Sequence, residues 1–146
     1  MEHIIEFNSM ILDKILKSNP IGEGSSREIY RFNNYIIKKS KNKRGKIECS
    51  NEYYLYENID AMYKKYLCPV IYYDDGIIVM QNTEHVNLEE FNQIILSKHE
   101  NLISYLYKEF GMDDFDLKCH FNWGKINENY VLIDYGHHYF DENLSE

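Results

Sequence analysis

The chain has 146 residues, a length typical of one domain with a sizeable core rather than of two domains. Its formal net charge of −8 disfavours general nucleic-acid binding, which depends on neutralising phosphates, and its 3 scattered cysteines predict reduced thiols in a cytoplasmic protein. The N-terminus lacks the basic segment and apolar run of a signal peptide, and no apolar stretch reaches membrane-spanning length. We therefore expect an intracellular protein with no membrane partner.

The first half of the chain predicts a helix, strands and a second helix. Apolar residues recur at helical spacing over residues 4–16, and Asn19-Pro20 would end this helix because the residue before a proline avoids the helical region. Residues 21–39 have a β pattern, and Asn33-Asn34 separates two runs of β-branched and aromatic residues as a hairpin turn does. A second helix is predicted over residues 46–65.

The second half predicts a hairpin, two helices and another small hairpin. Residues 70–80 form two apolar runs around a turn, and helices are predicted over residues 87–97 and 100–110. Residues 124–134 follow as strand, turn at 127–129, and strand. This order predicts an α+β domain without internal repeats or an interdomain linker.

Two glycines and a lysine are the first candidate functional residues. Gly22 and Gly24 lie in a predicted strand-connecting loop, and Lys38 ends an apolar strand within a basic stretch of the chain. Strand alternation puts Lys38 on the same face as Ile36 and puts Lys39 on the opposite face. Taken alone, the glycines also suit an ordinary tight turn. The basic stretch also suits a solvated loop or a partner-binding patch.

A second group of candidates surrounds the last predicted hairpin. Asp134-Tyr135-Gly136 follows an apolar strand, and Asn122 precedes the hairpin, which could therefore bring an amide and a carboxylate together at one end. Asp116-Leu117-Lys118 lies just upstream.

These motifs, in this order, resemble those of protein kinases, and the resemblance covers nearly the whole chain. It implies a single kinase-like domain over residues 1–146, of class α+β. Residues 1–80 would form the N-lobe, a five-stranded antiparallel sheet plus a helix, and residues 81–146 a reduced helical C-lobe. The chain would then be truncated soon after the Asp-Tyr-Gly motif.

The resemblance also implies roles for individual residues on the nucleotide side. Gly22 and Gly24 correspond to the start of the glycine-rich loop that covers the nucleotide phosphates, and Lys38 corresponds to the phosphate-contacting lysine. Glu52 is the first choice for the carboxylate that holds this lysine, and Glu57 is the alternative. The third glycine of the family pattern is replaced here by Arg27.

On the metal side, Asp134 and Asn122 resemble the residues that hold Mg²⁺, and Asp116 resembles the catalytic aspartate. Asn122 lies 6 positions after Asp116, whereas the family pattern requires five. Either one residue bulges between them, or Leu117 occupies the position of the base.

Three functions remain open from the sequence. The first is a minimal kinase-like protein that binds ATP and Mg²⁺ with weak or absent protein phosphotransferase activity. The second is a pseudokinase-type interaction module, of phage or mobile-element origin, that binds a host protein without catalysis; the acidic charge and the 14 tyrosines suit a partner surface. The third is an unrelated α+β domain. A protein partner or a homodimer could complete the site.

Overall fold

The computed structural model describes residues 9–136. Helix α1 (Ser9–Leu16) is the described part of the first predicted helix, whose earlier residues lie outside this range. Three strands follow, β1 (Gly22–Glu23), β2 (Arg27–Phe32) and β3 (Tyr35–Ser40). At the hairpin between β2 and β3, Asn33 adopts the positive φ of 53° that a tight turn of this kind requires.

The helix predicted over residues 46–65 is in fact two helices, α2 (Lys43–Asn58) and α3 (Ala61–Lys64). Helix α2 begins earlier than predicted because the Asn42 side chain accepts a hydrogen bond from the Gly45 amide at 3.0 Å. Asp60 then accepts from the Met62 amide at 3.2 Å and starts α3. Polar caps, rather than apolar periodicity, therefore set these boundaries.

Strands β4 (Val70–Asp74) and β5 (Ile77–Gln81) complete a five-stranded antiparallel sheet of order β1-β2-β3-β5-β4. The two faces of this sheet have different neighbours. Tyr30, Ile37 and Val79 form a small core with α1, whereas Ile78 and Met80 belong to the main core together with α2. The alternation of side chains along each strand produces this division.

The second half is mostly helical. A continuous helical stretch consists of α4 (Leu88–Glu90), a π-helical turn (Phe91–Ile95) and α5 (Leu96–Lys98), and it begins where the Asn87 side chain accepts from the Glu90 amide at 2.8 Å. Helix α6 (Glu100–Phe110) ends at Gly111 as predicted, with a positive φ of 63°. Helix α7 (Asp114–Leu117) was not predicted; the Asp113 side chain caps it.

The predicted hairpin at the end of the chain is part of a three-stranded sheet. A short helical turn (His120–Asn122) leads into β7 (Trp123–Ile126) and β8 (Asn129–Leu132), and the unpredicted strand β6 (Glu84–His85) pairs with β7. The two-residue strand β6 is too short to leave an alternating pattern in the sequence.

One main hydrophobic core joins the two halves. It includes Leu55 of α2, Ile78 of β5, Leu106 of α6 and Trp123 of β7, each at most 2% exposed. The described residues confirm the predicted α+β class, with its five-stranded antiparallel sheet and small helical part. Between residues 9 and 136, no helix has the length and apolar character needed to cross a membrane.

Candidate functional site

A cleft of about 400 Å³ lies between the five-stranded sheet and the second half of the chain. The sheet contributes apolar side chains, including Ile29, Ile36 and Met80, and the opposite side contributes Trp123 and Ile133. The segment that connects β5 to β6 borders the cleft as well. Three of the functional residues predicted from the sequence also line the cleft: Lys38, Asn122 and Asp134.

Lys38 and Glu52 form an ion pair at the inner end of this cleft. Lys38 Nζ lies 3.0 Å from Glu52 Oε2 and also donates to the Ile133 carbonyl at 3.0 Å. Ile36 and Lys38 both line the cleft, in agreement with strand alternation. The structure therefore brings Lys38 to the first-choice carboxylate, Glu52.

Arg27 is the residue of this site that sequence reasoning missed. Its guanidinium lies 2.6 Å from Glu52 Oε1 and 3.4 Å from Asp134 Oδ1, and its Nε lies 3.7 Å from Glu48 Oε1. Arg27 is only 7% exposed, although it begins a strand beside a loop. A register signal could have found it, because Ile29 pairs with Lys38, which puts Arg27 diagonal to Lys38 on the same sheet face.

Two cations keep Glu52 ionised inside the protein. Glu52 has no exposed surface, and burial alone would raise its pKa. The charges of Arg27 and Lys38 and their hydrogen bonds outweigh burial and lower the pKa of Glu52 from 4.5 to about 2. In return, Glu52 and Asp134 raise the pKa of Arg27 against the opposing effect of its burial. The carboxylate is therefore charged at any physiological pH.

Helix α2 also anchors the Asp134-Tyr135-Gly136 segment. The Tyr135 amide donates to Glu52 Oε2 at 3.2 Å, and Asn51 Nδ2 donates to the Gly136 carbonyl at 3.1 Å. A Cβ atom at Gly136 would stand 2.6 Å from the Glu48 carbonyl oxygen, so this position accepts no side chain without movement. The buried face of α2 is polar for this reason.

Tyr135 fixes the other side of the same segment. Its side chain is fully buried, and its hydroxyl donates to the Cys68 carbonyl at 2.9 Å. Burial keeps the pKa of Tyr135 well above its usual value, so this hydroxyl remains a donor. Asp134 is thereby positioned at the cleft with 39% of its side chain exposed.

Asn122 lies close to Asp134 because the Ile133 amide donates to the Asn122 carbonyl at 2.8 Å. The Asn122 side-chain amide donates to the main-chain carbonyl of Asp116 at 3.0 Å. Asp116 lies in α7 and is not among the described residues that line the cleft. The structure thus connects Asp116 to the site through its backbone.

The residues at this end of the cleft suit magnesium in their chemistry. Mg²⁺ prefers oxygen ligands and is usually held by one or two carboxylates together with substrate phosphates. Asp134 offers a carboxylate, and Asn122 an amide oxygen. Across residues 9–136, no group of three or more His, Cys, Asp or Glu side chains could hold a metal ion. A metal here would therefore complete its coordination with water or with oxygens of a bound phosphate.

Packing requires neither Gly22, which begins β1, nor Gly24, which lies in the loop between β1 and β2. A Cβ atom at Gly22 or Gly24 would meet no atom closer than 3.9 Å, and both residues have ordinary φ angles. Side chains from the segment after β3 hold the loop by hydrogen bonds. The Gly24 carbonyl accepts from Lys41 Nζ at 3.1 Å, and the Ser25 carbonyl accepts from Asn42 Nδ2 at 3.0 Å. Both glycines, like Arg27, lie outside the residues that line the cleft.

Comparison with solved structures identifies similar folds, whereas no protein-family model and no curated protein matches the chain. The bifunctional kinase-methyltransferase WbdD superposes with a TM-score of 0.53 and 19% identity, over 76% of this chain and 29% of WbdD. The complex of streptomycin, ATP and APH(2'')-IIa gives a TM-score of 0.50 and 17% identity, over 90% of this chain and 71% of that one. This chain thus spans less than a third of WbdD.

Proposed function

Because the chain has a protein-kinase-like fold, we propose that it binds ATP, with Mg²⁺ as counter-ion, and has weak or absent protein phosphotransferase activity. The observation that carries the proposal is the Lys38–Glu52 ion pair, with its 3.0 Å separation, at the inner end of the cleft. A buried carboxylate that fixes a lysine beside an open cleft is the arrangement by which protein kinases hold nucleotide phosphates.

The cleft divides into an apolar part and a polar part. Ile29, Ile36 and Met80 offer a surface on which a planar base can pack, and Gln81, Asn82 and Thr83 line the cleft beside them. Lys38 and Asp134 lie at the polar part. A nucleotide would therefore place its base against the sheet and its phosphates near Lys38.

Each residue of the polar part has a distinct task in this proposal. Lys38 donates to phosphate oxygens, and Glu52 holds Lys38 in position. Asp134 and Asn122 would hold Mg²⁺, which neutralises phosphate charge when it is bound. Gly22 and Gly24 leave room for phosphates to approach the backbone. Asp116 would orient an acceptor hydroxyl only after the backbone around it moves towards the cleft, and this need is the reason for the low expected transfer activity.

Trp123 provides the test, because it is the single tryptophan of the chain and it lines the cleft. We expect ATP in excess Mg²⁺ to change its fluorescence with a saturable dependence on concentration. Lys38→Met should weaken ATP binding by about tenfold or more, since it removes a charge-assisted hydrogen bond. Lys39→Met is the matched control, on the opposite face of the same strand. No saturation at millimolar ATP, or equal effects of the two variants, would refute the proposal.

A second candidate function is a non-catalytic interaction module. Phe115 in α7 and Phe121 in the short helical turn after it are 78% and 67% exposed, and Phe121 also borders the cleft. Exposed aromatic side chains are enriched at protein interfaces. A partner retained by the wild-type protein, lost with Phe115→Ser and Phe121→Ser but kept with Lys38→Met, would favour this function. Loss with Lys38→Met as well would instead link the partner to the nucleotide site.

A further inference from the structure

Arg27 stands between the two carboxylates on which the proposed site depends. Its guanidinium is 2.6 Å from Glu52 and 3.4 Å from Asp134, and the side chain is held inside the protein rather than in solvent. A guanidinium stays charged at every accessible pH. Asp134 therefore has a fixed positive charge beside it before any ligand arrives.

A divalent cation on Asp134 would have to come close to this guanidinium. Mg²⁺ lies about 2.0–2.1 Å from its oxygen ligands and binds with strict geometry. A carboxylate oxygen 3.4 Å from the Arg27 guanidinium would then bring two cations within a few ångströms of each other in a partly buried site. Like charges at such separations repel strongly where water is scarce.

The surrounding charges favour the arginine in this competition. Arg27 contacts Glu48, Glu52 and Asp134, so it is attached at three points rather than one. The loop before it is fixed by Lys41 and Asn42. Arg27 also stands where the family pattern has its third glycine, a residue that could not supply a charge.

We propose that Arg27 and a divalent metal ion compete for Asp134, so that Arg27 acts as a positioning residue that lowers the dependence of nucleotide binding on metal. This inference rests on the proposed function, because it concerns the metal requirement of the same site. In the wild-type protein, Mg²⁺ held by Asp134 and Asn122 therefore raises the affinity for ATP only slightly. Removal of the guanidinium makes ATP binding metal-dependent.

The first experiment compares the ATP dissociation constant in EDTA with that in excess Mg²⁺, measured through Trp123 fluorescence. We expect a ratio near one for the wild-type protein and at least about tenfold for Arg27→Met, since a charge-assisted interaction is worth about a factor of ten or more. Arg31→Met is the matched control, because Arg31 is an exposed arginine of the same strand. A ratio unchanged in Arg27→Met, or raised equally by Arg31→Met, would overturn the proposal.

A second experiment needs no nucleotide and separates this inference from the proposed function. Mn²⁺ is titrated into the protein alone and free Mn²⁺ is followed by electron paramagnetic resonance. Arg27→Met should bind Mn²⁺ at least about tenfold more tightly than the wild-type protein. Adding Asp134→Ala should remove this gain. Equal Mn²⁺ affinity of the wild-type and Arg27→Met proteins overturns the inference, whereas failure of ATP to bind any variant refutes the proposed function alone.

Two further variants guard against unfolding of Arg27→Met. Arg27→Lys keeps the charge and should resemble the wild-type protein in both titrations. Arg27→Met combined with Glu48→Gln removes one cation and one carboxylate together, so the net charge of the cluster is kept. This double variant should show the same gain in metal dependence as Arg27→Met. Its failure to do so in a folded protein would count against the competition.

Discussion

Glu52 is the residue on which the ion pairs of the site converge. Arg27 donates a hydrogen bond to each of the two Glu52 carboxylate oxygens, and Lys38 donates to Oε2 as well. The Glu52 side chain has no exposed surface. Removal of one partner from a buried ion pair commonly costs about 3–5 kcal/mol, because the remaining charge is left uncompensated. With two cations on Glu52, loss of either one leaves the other in place. Lys38 variants are therefore suitable for binding experiments.

The depressed pKa of Glu52 predicts a specific loss of stability in acid. Its pKa is about 2 in the folded protein and 4.5 in the reference state, so its ionised form stabilises the fold above pH 4.5 and this contribution is lost as the pH falls towards 2. Glu52→Gln should be less stable at neutral pH and should lose less stability over this acidic interval. Urea unfolding across the interval measures both effects. Parallel pH profiles for the wild-type and variant proteins would contradict this account of the charge cluster.

Substitution by alanine should have different outcomes at Gly24 and at Gly136. Gly24→Ala should leave the melting temperature nearly unchanged, because its Cβ meets no protein atom closer than 3.9 Å. It should weaken ATP binding, because the added methyl group would obstruct the approach of phosphates to the backbone. Gly136→Ala should destabilise the fold by about 1–3 kcal/mol, because its Cβ would press on the Glu48 carbonyl. Thermal unfolding and ATP titration of both variants separate these roles. A large loss of stability in Gly24→Ala would show that this glycine serves the fold.

Helix α2 is the element that connects the five-stranded sheet, the loop between β1 and β2, and the Asp134-Tyr135-Gly136 segment. Asn42 caps this helix through Gly45 and also donates to Ser25 of the loop, at 3.0 Å in each case. Asn42→Ala should lower the free energy of unfolding by about 1 kcal/mol, the usual effect of losing an N-cap, and should also weaken ATP binding by loosening the loop.

Asn58→Ala is the control for this prediction, since Asn58 lies at the other end of α2 and donates to the Tyr54 carbonyl on the exposed surface. It should leave ATP binding unchanged. Equal ATP affinities of Asn42→Ala and the wild-type protein would separate the helix cap from the function of the loop.

The sequence predicted which helices and strands are present better than it predicted the residues at which they begin and end. The sheet, the hairpin turn at Asn33 and the end of α6 at Gly111 were predictable because glycine and asparagine mark positions with positive φ. The break between α2 and α3 was missed, because apolar residues such as Met62 continue the helical spacing although Met62 is 63% exposed. A capping aspartate, Asp60, overrides that pattern.

The charge cluster was harder to predict for a different reason. Apolar periodicity assigns charged residues to solvent, but Arg27, Glu48 and Glu52 are all buried and compensate one another. Glu52 was chosen because the lysine of the kinase pattern needs a carboxylate and because Leu55 and Ile59, one and two turns further on, anchor the same helix face. Arg27 was noted only as the replacement of the third glycine, because its position diagonal to Lys38 follows from the pairing of β2 with β3 and not from the residues beside it.

At the scale of the whole molecule, the cleft unites residues that are far apart in the chain. Lys38 donates to the Ile133 carbonyl, and Arg27 reaches Asp134, across separations of 95 and 107 residues. The β3 strand and the Asp-Tyr-Gly segment must therefore be assembled together for the site to exist. A ligand that binds the cleft should stabilise both halves at once.

The most direct measurement is a map of amide chemical shifts during titration of the isotope-labelled protein with ATP and Mg²⁺. The account predicts saturable changes at Lys38, at residues 81–83 and at Asp134, which border one cleft, and smaller changes in α6, which contributes no residue to its lining. An absence of changes at millimolar ATP, or changes confined to surfaces away from the cleft, would contradict the proposal that this chain is a nucleotide-binding protein.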